Sequence, residues 1–250
     1  MQKTVAKDTS VAGRFGNGLA SLLAQKIQKT YPSFPVTKYK KYIAAHIADA
    51  TYSKRLQIHA EALHAYLPKN YSIAVSILVR TLGEENPYET GMFKNYYWTL
   101  PISKFIELYG LEDVNASLSA IAELTKRSTG EYAIRPFLKM YPKKTMQMMS
   151  TWSRSKNFHL RRLASEGCRP KLPWATKLDT FIEHPKPVFS MLARLMKDDS
   201  AFVRRSVANN IADYLKVNTP VAIAFMRPYQ SSIHPHTKWI LKHATRRVKV

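Results

Sequence analysis

The stretch Asn157–Trp174, NFHLRRLASEGCRPKLPW, decides how the rest of this chain is read. Leu160, Leu163 and Ala164 recur at helical spacing and form one apolar stripe, while Arg162 and Glu166 stand four apart on another face. Gly167 supplies a left-handed stop, and Pro170 and Pro173 keep the helix from resuming before Trp174. A near copy follows 43 residues later, where Val203-Arg204-Arg205-Ser206-Val207-Ala208-Asn209 echoes Leu160-Arg161-Arg162-Leu163-Ala164-Ser165-Glu166.

Working outward, proline and glycine divide the chain into short helices. Helical periodicity runs over residues 19–30, 37–49, 53–66, 71–82, 101–109 and 114–126, then over 143–152, 157–166, 187–196, 200–216, 220–226 and 236–246. Thr37 is placed to cap the second helix and Thr129 to cap GEYAIRPFLKMY (130–141), which Pro136 should kink or divide. Residues 84–97 read as a loop, marked by Asn86-Pro87 and Gly91. No segment alternates with period two between hairpin turns, so the chain is all-α. Paired short helices with a 43-residue echo fit the period of roughly 40–47 residues of HEAT and armadillo arrays. The expected architecture is therefore a HEAT-like helical-repeat solenoid, an α-α superhelix over residues 19–250 with a concave basic surface. A plain helical bundle is the alternative. Residues 1–18 are expected to be a flexible leader, because Gly13, Gly16 and Gly18 lack the strand and the Lys-Ser/Thr of a phosphate loop.

A hydrophobic content of 45% suffices for a folded core, but 39 Lys and Arg against 17 Asp and Glu leave a net charge of +22. A folded protein this basic meets a polyanion, nucleic acid before an anionic membrane surface. Cys168 is the only cysteine, which rules out a disulfide within the chain or a multi-cysteine zinc site and fits a reducing cytoplasm. It reads as a buried filler rather than a nucleophile. The eight histidines form no HExxH-like pair, so no metal is expected. The start carries no signal-peptide pattern, and no stretch approaches eighteen uninterrupted apolar residues. Trp98, Trp152 and Trp239 fall in periodic apolar settings and are expected in the core.

Between Lys126 and Trp174 there are twelve cations and only two acids, Glu131 and Glu166. A surface that only holds phosphates gains nothing from a carboxylate. Either each acid pairs with an arginine one turn away, Glu131 with Arg135 and Glu166 with Arg162, or the acids serve chemistry. The later copy adds Asp213, in a polar row with Arg205 and Asn209; a solvated face is its bland reading. Trp174, in a loop, either stacks on a base or sugar or anchors that loop.

Three strings, LTKRSTGEYAIRPF (Leu124–Phe137), HLRRLASEGCRPKLPW (His159–Trp174) and DDSAFVRRSVANNIADYLK (Asp198–Lys216), resemble the HEAT-like-repeat DNA glycosylases of the AlkC/AlkD type, the AlkC branch most of all. Weaker similarity runs from about Leu19 to Arg247. The resemblance implies a bacterial base-excision repair enzyme that releases cationic N-alkylated bases, chiefly 3-methyladenine and 3-methylcytosine, from bent duplex DNA without base flipping. It implies a monofunctional enzyme without metal or cofactor, with active-site acids at Glu131, Glu166 and Asp213 and the aromatic at Trp174. The expected DNA contacts are Arg127, Arg135, Arg154, Arg161, Arg162, Arg169, Lys171, Arg204 and Arg205. The expected setting is cytoplasmic and nucleoid-associated, and the default state a monomer. Members usually continue past the point where this sequence stops, some into an immunoglobulin-like domain, so an abbreviated last repeat is expected. A non-catalytic helical-repeat protein that binds nucleic acid is the second reading and a protein scaffold without a DNA role the third.

Overall fold

The computed structural model describes residues 10–91 and 93–247, the side chain of Lys94 excepted. Among them every regular element is a helix. The chain packs as two compact units, residues 1–84 with 92–124, and residues 85–91 with 125–250.

The first unit holds α1 (Asn17–Thr30), α2 (Val36–His46), α3 (Tyr52–Tyr66), α4 (Tyr71–Thr81), the single turn α5 (Phe93–Tyr96), α6 (Leu100–Tyr109) and α7 (Val114–Thr125). Helix α1 packs on α2 and α4, and α3 on α2 and α6, around Leu23, Ile27, Ile43, Leu63, Leu78 and Phe105. Tyr39 is fully buried and its hydroxyl donates to His59 Nδ1 at 2.8 Å. His59 Nε2 then donates to the Phe15 carbonyl at 3.2 Å, since a carbonyl can only accept. Burial lowers the His59 pKa to about 4.

The expected leader does not reach residue 18. Residues 1–9 lie outside the described residues, but Ala12–Phe15 form a 3-10 turn and α1 begins at Asn17. Phe15 is fully buried, with its ring 5.2 Å from Tyr52 and 5.9 Å from Tyr97. One aromatic is enough to fix the segment, because burying such a side chain is worth about 1.5–3 kcal/mol. The expected loop over 84–97 holds over residues 84–91, which carry no helix, but its end forms α5. Thr37 does not cap α2; the N-cap position falls on Pro35.

The second unit holds α8 (Arg135–Met140), α9 (Pro142–Trp152), α10 (Phe158–Glu166), α11 (Asp179–Glu183), α12 (Lys186–Leu195), α13 (Ala201–Val217), α14 (Thr219–Met226) and α15 (Pro235–Thr245). Helix α13 is its axis, packing on α10, α12, α14 and α15 through Val203, Val207, Ile211 and Tyr214. Helix α11 was not expected; Tyr214 holds it by donating to the Phe181 carbonyl at 2.8 Å. Pro136 neither kinks nor divides a helix. It sits in the first turn of α8, where a missing N–H costs nothing, and residues 131–134 remain turn. Residues 85–91 brace the starts of α10 and α13: Glu85 accepts from Asn157 Nδ2 at 3.0 Å and Glu89 from Phe202 N at 3.3 Å. Trp98 and Trp152 are buried as expected. Trp239 is not; it is half-exposed and stacks on His243. No described helix is long and apolar enough to cross a membrane.

Candidate active site

The 43-residue echo is a repeat of local chemistry. Asn157 caps α10 by accepting from His159 N at 2.9 Å, and Ser200, 43 residues on, caps α13 by accepting from Val203 N at 3.3 Å. In α10 the first arginine, Arg161, donates through Nη1 to the carbonyls of Ser155 and Lys156, both at 3.0 Å. Its counterpart Arg204 donates to the carbonyls of Asp198 and Asp199 at 2.9 and 2.7 Å, again 43 residues on. Both arginines therefore hold the turn that precedes their own helix. Arg161 also forks onto Asp198, Nε to Oδ2 at 2.7 Å and Nη2 to Oδ1 at 3.1 Å.

The second arginines diverge, and the site grows from that difference. Arg205 is exposed. Arg162 turns inward over the Phe202 ring, 4.6 Å from its centroid, and lies 2.7 Å from Glu131 Oε2 and 3.6 Å from Glu166 Oε1. Arg169 continues the chain of ion pairs, Nη1 to Glu166 Oε1 at 2.7 Å and Nε to Asp213 Oδ2 at 2.8 Å. Glu131, Glu166 and Asp213 are thus linked in a row by Arg162 and Arg169. Glu131 does not pair with Arg135, as spacing alone allowed. The Glu166–Arg162 contact exists but is the longer of the two arginine contacts to Glu166.

The acids differ in how fully they are occupied. Glu166 has both oxygens engaged, because Ser206 Oγ donates to Oε2 at 2.6 Å. Burial opposes its ionisation, but Arg162, Arg169 and the Ser206 bond outweigh that and hold the carboxyl below the ordinary Glu value. Glu131 Oε2 accepts from Thr129 Oγ1 at 2.8 Å as well as from Arg162. Asp213 is also buried, and burial raises its pKa in spite of Arg169. Among the described residues its one hydrogen bond is from Arg169 to Oδ2, so Oδ1 carries no donor. Arg162, between two carboxylates, is held charged against burial.

Asp213 lines a surface cleft of about 560 Å³ together with Trp174, Asn209 and six cations, Arg169, Lys171, Lys177, Lys216, Arg246 and Arg247. One carboxylate faces six positive charges there. Trp174 projects from the cleft rim 94% exposed, so it does not anchor its loop. It is also the one described non-glycine residue at positive φ, +66°. A left-handed tryptophan costs of order 1–3 kcal/mol and persists only where its surroundings impose it. Leu172, buried, is the loop's apolar anchor instead.

Gly167 departs from the expected left-handed stop, since its φ of −64° is ordinary right-handed helix. Space is its reason: a Cβ would sit 2.7 Å from Ile134 Cγ2 and 3.1 Å from the Leu163 carbonyl. Cys168 is fully buried and its thiol is pushed up to about 12, which leaves it inert.

The expected DNA contacts divide. Arg154, Lys171 and Arg205 are exposed. Arg162 and Arg169 are spent on carboxylates, and Arg161 and Arg204 on carbonyls. Arg127 is mostly covered and lies 4.0 Å from Glu85. Arg135 is buried with its guanidinium among backbone carbonyls. Lys177, Lys216, Arg246 and Arg247 line the cleft unforeseen, their signal being only position near Trp174, Asp213 and the end of α15. No group of three or more His, Cys, Asp or Glu among the described residues is gathered as metal ligands would be.

The family described as DNA alkylation repair enzyme matches residues 128–248, the span that contains the whole carboxylate–arginine row. YhaZ of Bacillus subtilis, described as uncharacterized, is 34% identical over 233 residues, covering 93% of this chain and 62% of that protein. A solved structure, Pseudomonas fluorescens alkylpurine DNA glycosylase AlkC bound to DNA containing an abasic site analog, matches with a TM-score of 0.85 at 30% identity. That match covers 95% of this chain and 64% of the other, so the chain spans less than two thirds of the length of these relatives. Sequence, helical-repeat fold and the shared segment agree: residues 128–248 match the DNA alkylation repair enzyme family, and the all-α chain is similar to proteins of the AlkC/AlkD type.

Proposed function

We propose that the protein is a monofunctional DNA glycosylase that hydrolyses the N-glycosidic bond of cationic N-alkylated bases, 3-methyladenine and 3-methylcytosine among them, in duplex DNA. The observation that carries this reading is Asp213, a buried carboxylate with Oδ1 unclaimed, on the wall of a cation-lined cleft beside an exposed indole. An alkylated base already bears positive charge and leaves as a neutral molecule, so the positive charge passes to the sugar as the bond breaks. A fixed negative oxygen beside C1′ is worth several kcal/mol at that moment, in a site where arginine already holds the carboxylate in place. Water then adds to C1′ and loses a proton to Asp213 Oδ1, an unclaimed oxygen on the acid that lines the cleft. Glu166, saturated by Arg162, Arg169 and Ser206, serves by holding Arg169 against Asp213, and Glu131 by holding Arg162.

Trp174, exposed and lining the same cleft as Asp213, stacks on the nucleotide at the lesion without the base leaving the duplex. The exposed cations of the cleft, with Arg154 and Arg205, supply phosphate contacts. The protein acts as a monomer on DNA in the cytoplasm. The test is release of alkylbases from methylated duplex DNA, read by mass spectrometry across salt concentrations. Free 3-methyladenine above the spontaneous rate is the expected result. Tight, salt-dependent binding with no released base at any salt would instead identify a non-catalytic nucleic-acid binder.

A further inference from the structure

The loop that carries Arg169 and Trp174 is held from beneath by one side chain. Arg135, at the start of α8, is buried, and its Nη1 donates to the carbonyls of Gly167 at 3.2 Å and Arg169 at 3.0 Å, while Nη2 donates to the carbonyl of Thr176. These acceptors stand at the two ends of the loop, so one guanidinium closes it. The tip has its own tie, since Tyr132 Oη donates to the Pro173 carbonyl at 3.3 Å. Leu178 N to Pro170 O and Ala175 N to Leu172 O, both 3.2 Å, complete the ring of bonds around Trp174. Nothing in the loop's own sequence demands a left-handed tryptophan. The constraint comes from these carbonyls being fixed on both sides of it.

We propose that Arg135 is the positioning residue of the active-site loop: its fork across the Gly167, Arg169 and Thr176 carbonyls sets Trp174 outward and seats Arg169 on Asp213. A planar fork reaches three divergent carbonyls at once; a lysine ammonium, compact and on a different stem, does not reproduce that geometry. Arg135 touches no substrate. It acts through the backbone, and its role in excision rests on the glycosylase reading above, whereas its hold on the loop does not.

The experiment separates the two. Trypsin can cut after Lys171 and after Lys177, both exposed and both inside or beside the loop. In Arg135→Lys, cleavage at these bonds should quicken by about tenfold or more, as local opening becomes easier, while cleavage elsewhere and Tm change little. Tyr132→Phe removes the tie at the loop's tip and should quicken cleavage after Lys171 by a smaller factor. In single-turnover excision, Arg135→Lys should slow the bond-breaking step while affinity for undamaged DNA stays within about twofold, because the exposed cations are untouched. Combined with Trp174→Ala, its loss should be less than additive, since both changes remove the same placed indole. Loop cleavage at the wild-type rate in Arg135→Lys and Tyr132→Phe would overturn the proposal whatever the excision rates. Quickened cleavage in a protein that releases no base would uphold the loop's brace and sink the glycosylase reading alone.

Discussion

Asp213 and Glu166 both sit on Arg169, yet their surroundings drive them in opposite directions. Glu166 is held below the ordinary Glu value and Asp213 above the ordinary Asp value. For Glu166 the sign makes the carboxylate a stabilising group at neutral pH, its contribution lost as pH falls through the lowered pKa. Glu166→Gln leaves two guanidiniums short of a counter-charge and should cost about 3–5 kcal/mol by urea unfolding, a loss that fades in acid. Asp213 must be ionised to face the sugar cation. Excision should therefore slow as pH falls through its raised pKa, placing the acid limb of the rate profile higher than an ordinary aspartate would; a limb at or below the ordinary position contradicts that role. The sequence singled out two of the three acids as almost alone among cations, and only the family resemblance gave all three a role. Their partners were not. Spacing along a helix predicts only neighbours on that helix, whereas Glu131 reaches Arg162 across 31 residues and Asp213 meets Arg169 across 44 residues.

At the scale of elements, α10 and α13 show what a short repeat can convey. The doubled arginine, the polar cap and the apolar stripe were all readable at a 43-residue offset, and the caps and carbonyl clamps recur at that same offset. What the pattern hid was the division of labour, since Arg161 and Arg204 look like phosphate contacts and are braces instead. Arg161→Ala should lower Tm by several degrees and leave the slope of log K against log salt unchanged. Lys171→Ala should leave Tm alone and reduce that slope by roughly 0.9, one phosphate contact. The opposite pattern in parallel melting and titration experiments would return Arg161 to the DNA interface. Helix α11 went unseen because DTFIE is too short to show a period and is held by Tyr214 from outside. Gly167 was misread because a glycine at a helix end suggests a left-handed turn, when here it makes room for Ile134.

For the molecule as a whole, the all-helical class was open to reading from proline spacing, and a net charge of +22 pointed to a polyanion, while the split into two units was not legible. Residues 85–91 leave their sequence neighbours to join the second unit, and no local periodicity reports that. The first unit carries its own pH dependence through His59, neutral in the fold with a pKa of about 4 against an ordinary 6.5. Its stabilising contribution is complete above the ordinary value and is lost as pH falls from 6.5 towards 4, to a limit of about 3 kcal/mol. Unfolding followed over that range should show the loss in wild type and a flatter profile in His59→Gln. Thirty-nine cations can hold DNA without chemistry, so the claim that matters concerns one oxygen. Single-turnover release of 3-methyladenine by Asp213→Asn, with DNA affinity measured on the same protein, tests it most directly. The account predicts a rate lower by roughly 10²–10³ with binding unchanged or tighter, as befits loss of a charge that acts only in the transition state. A rate within a few-fold of wild type would contradict it.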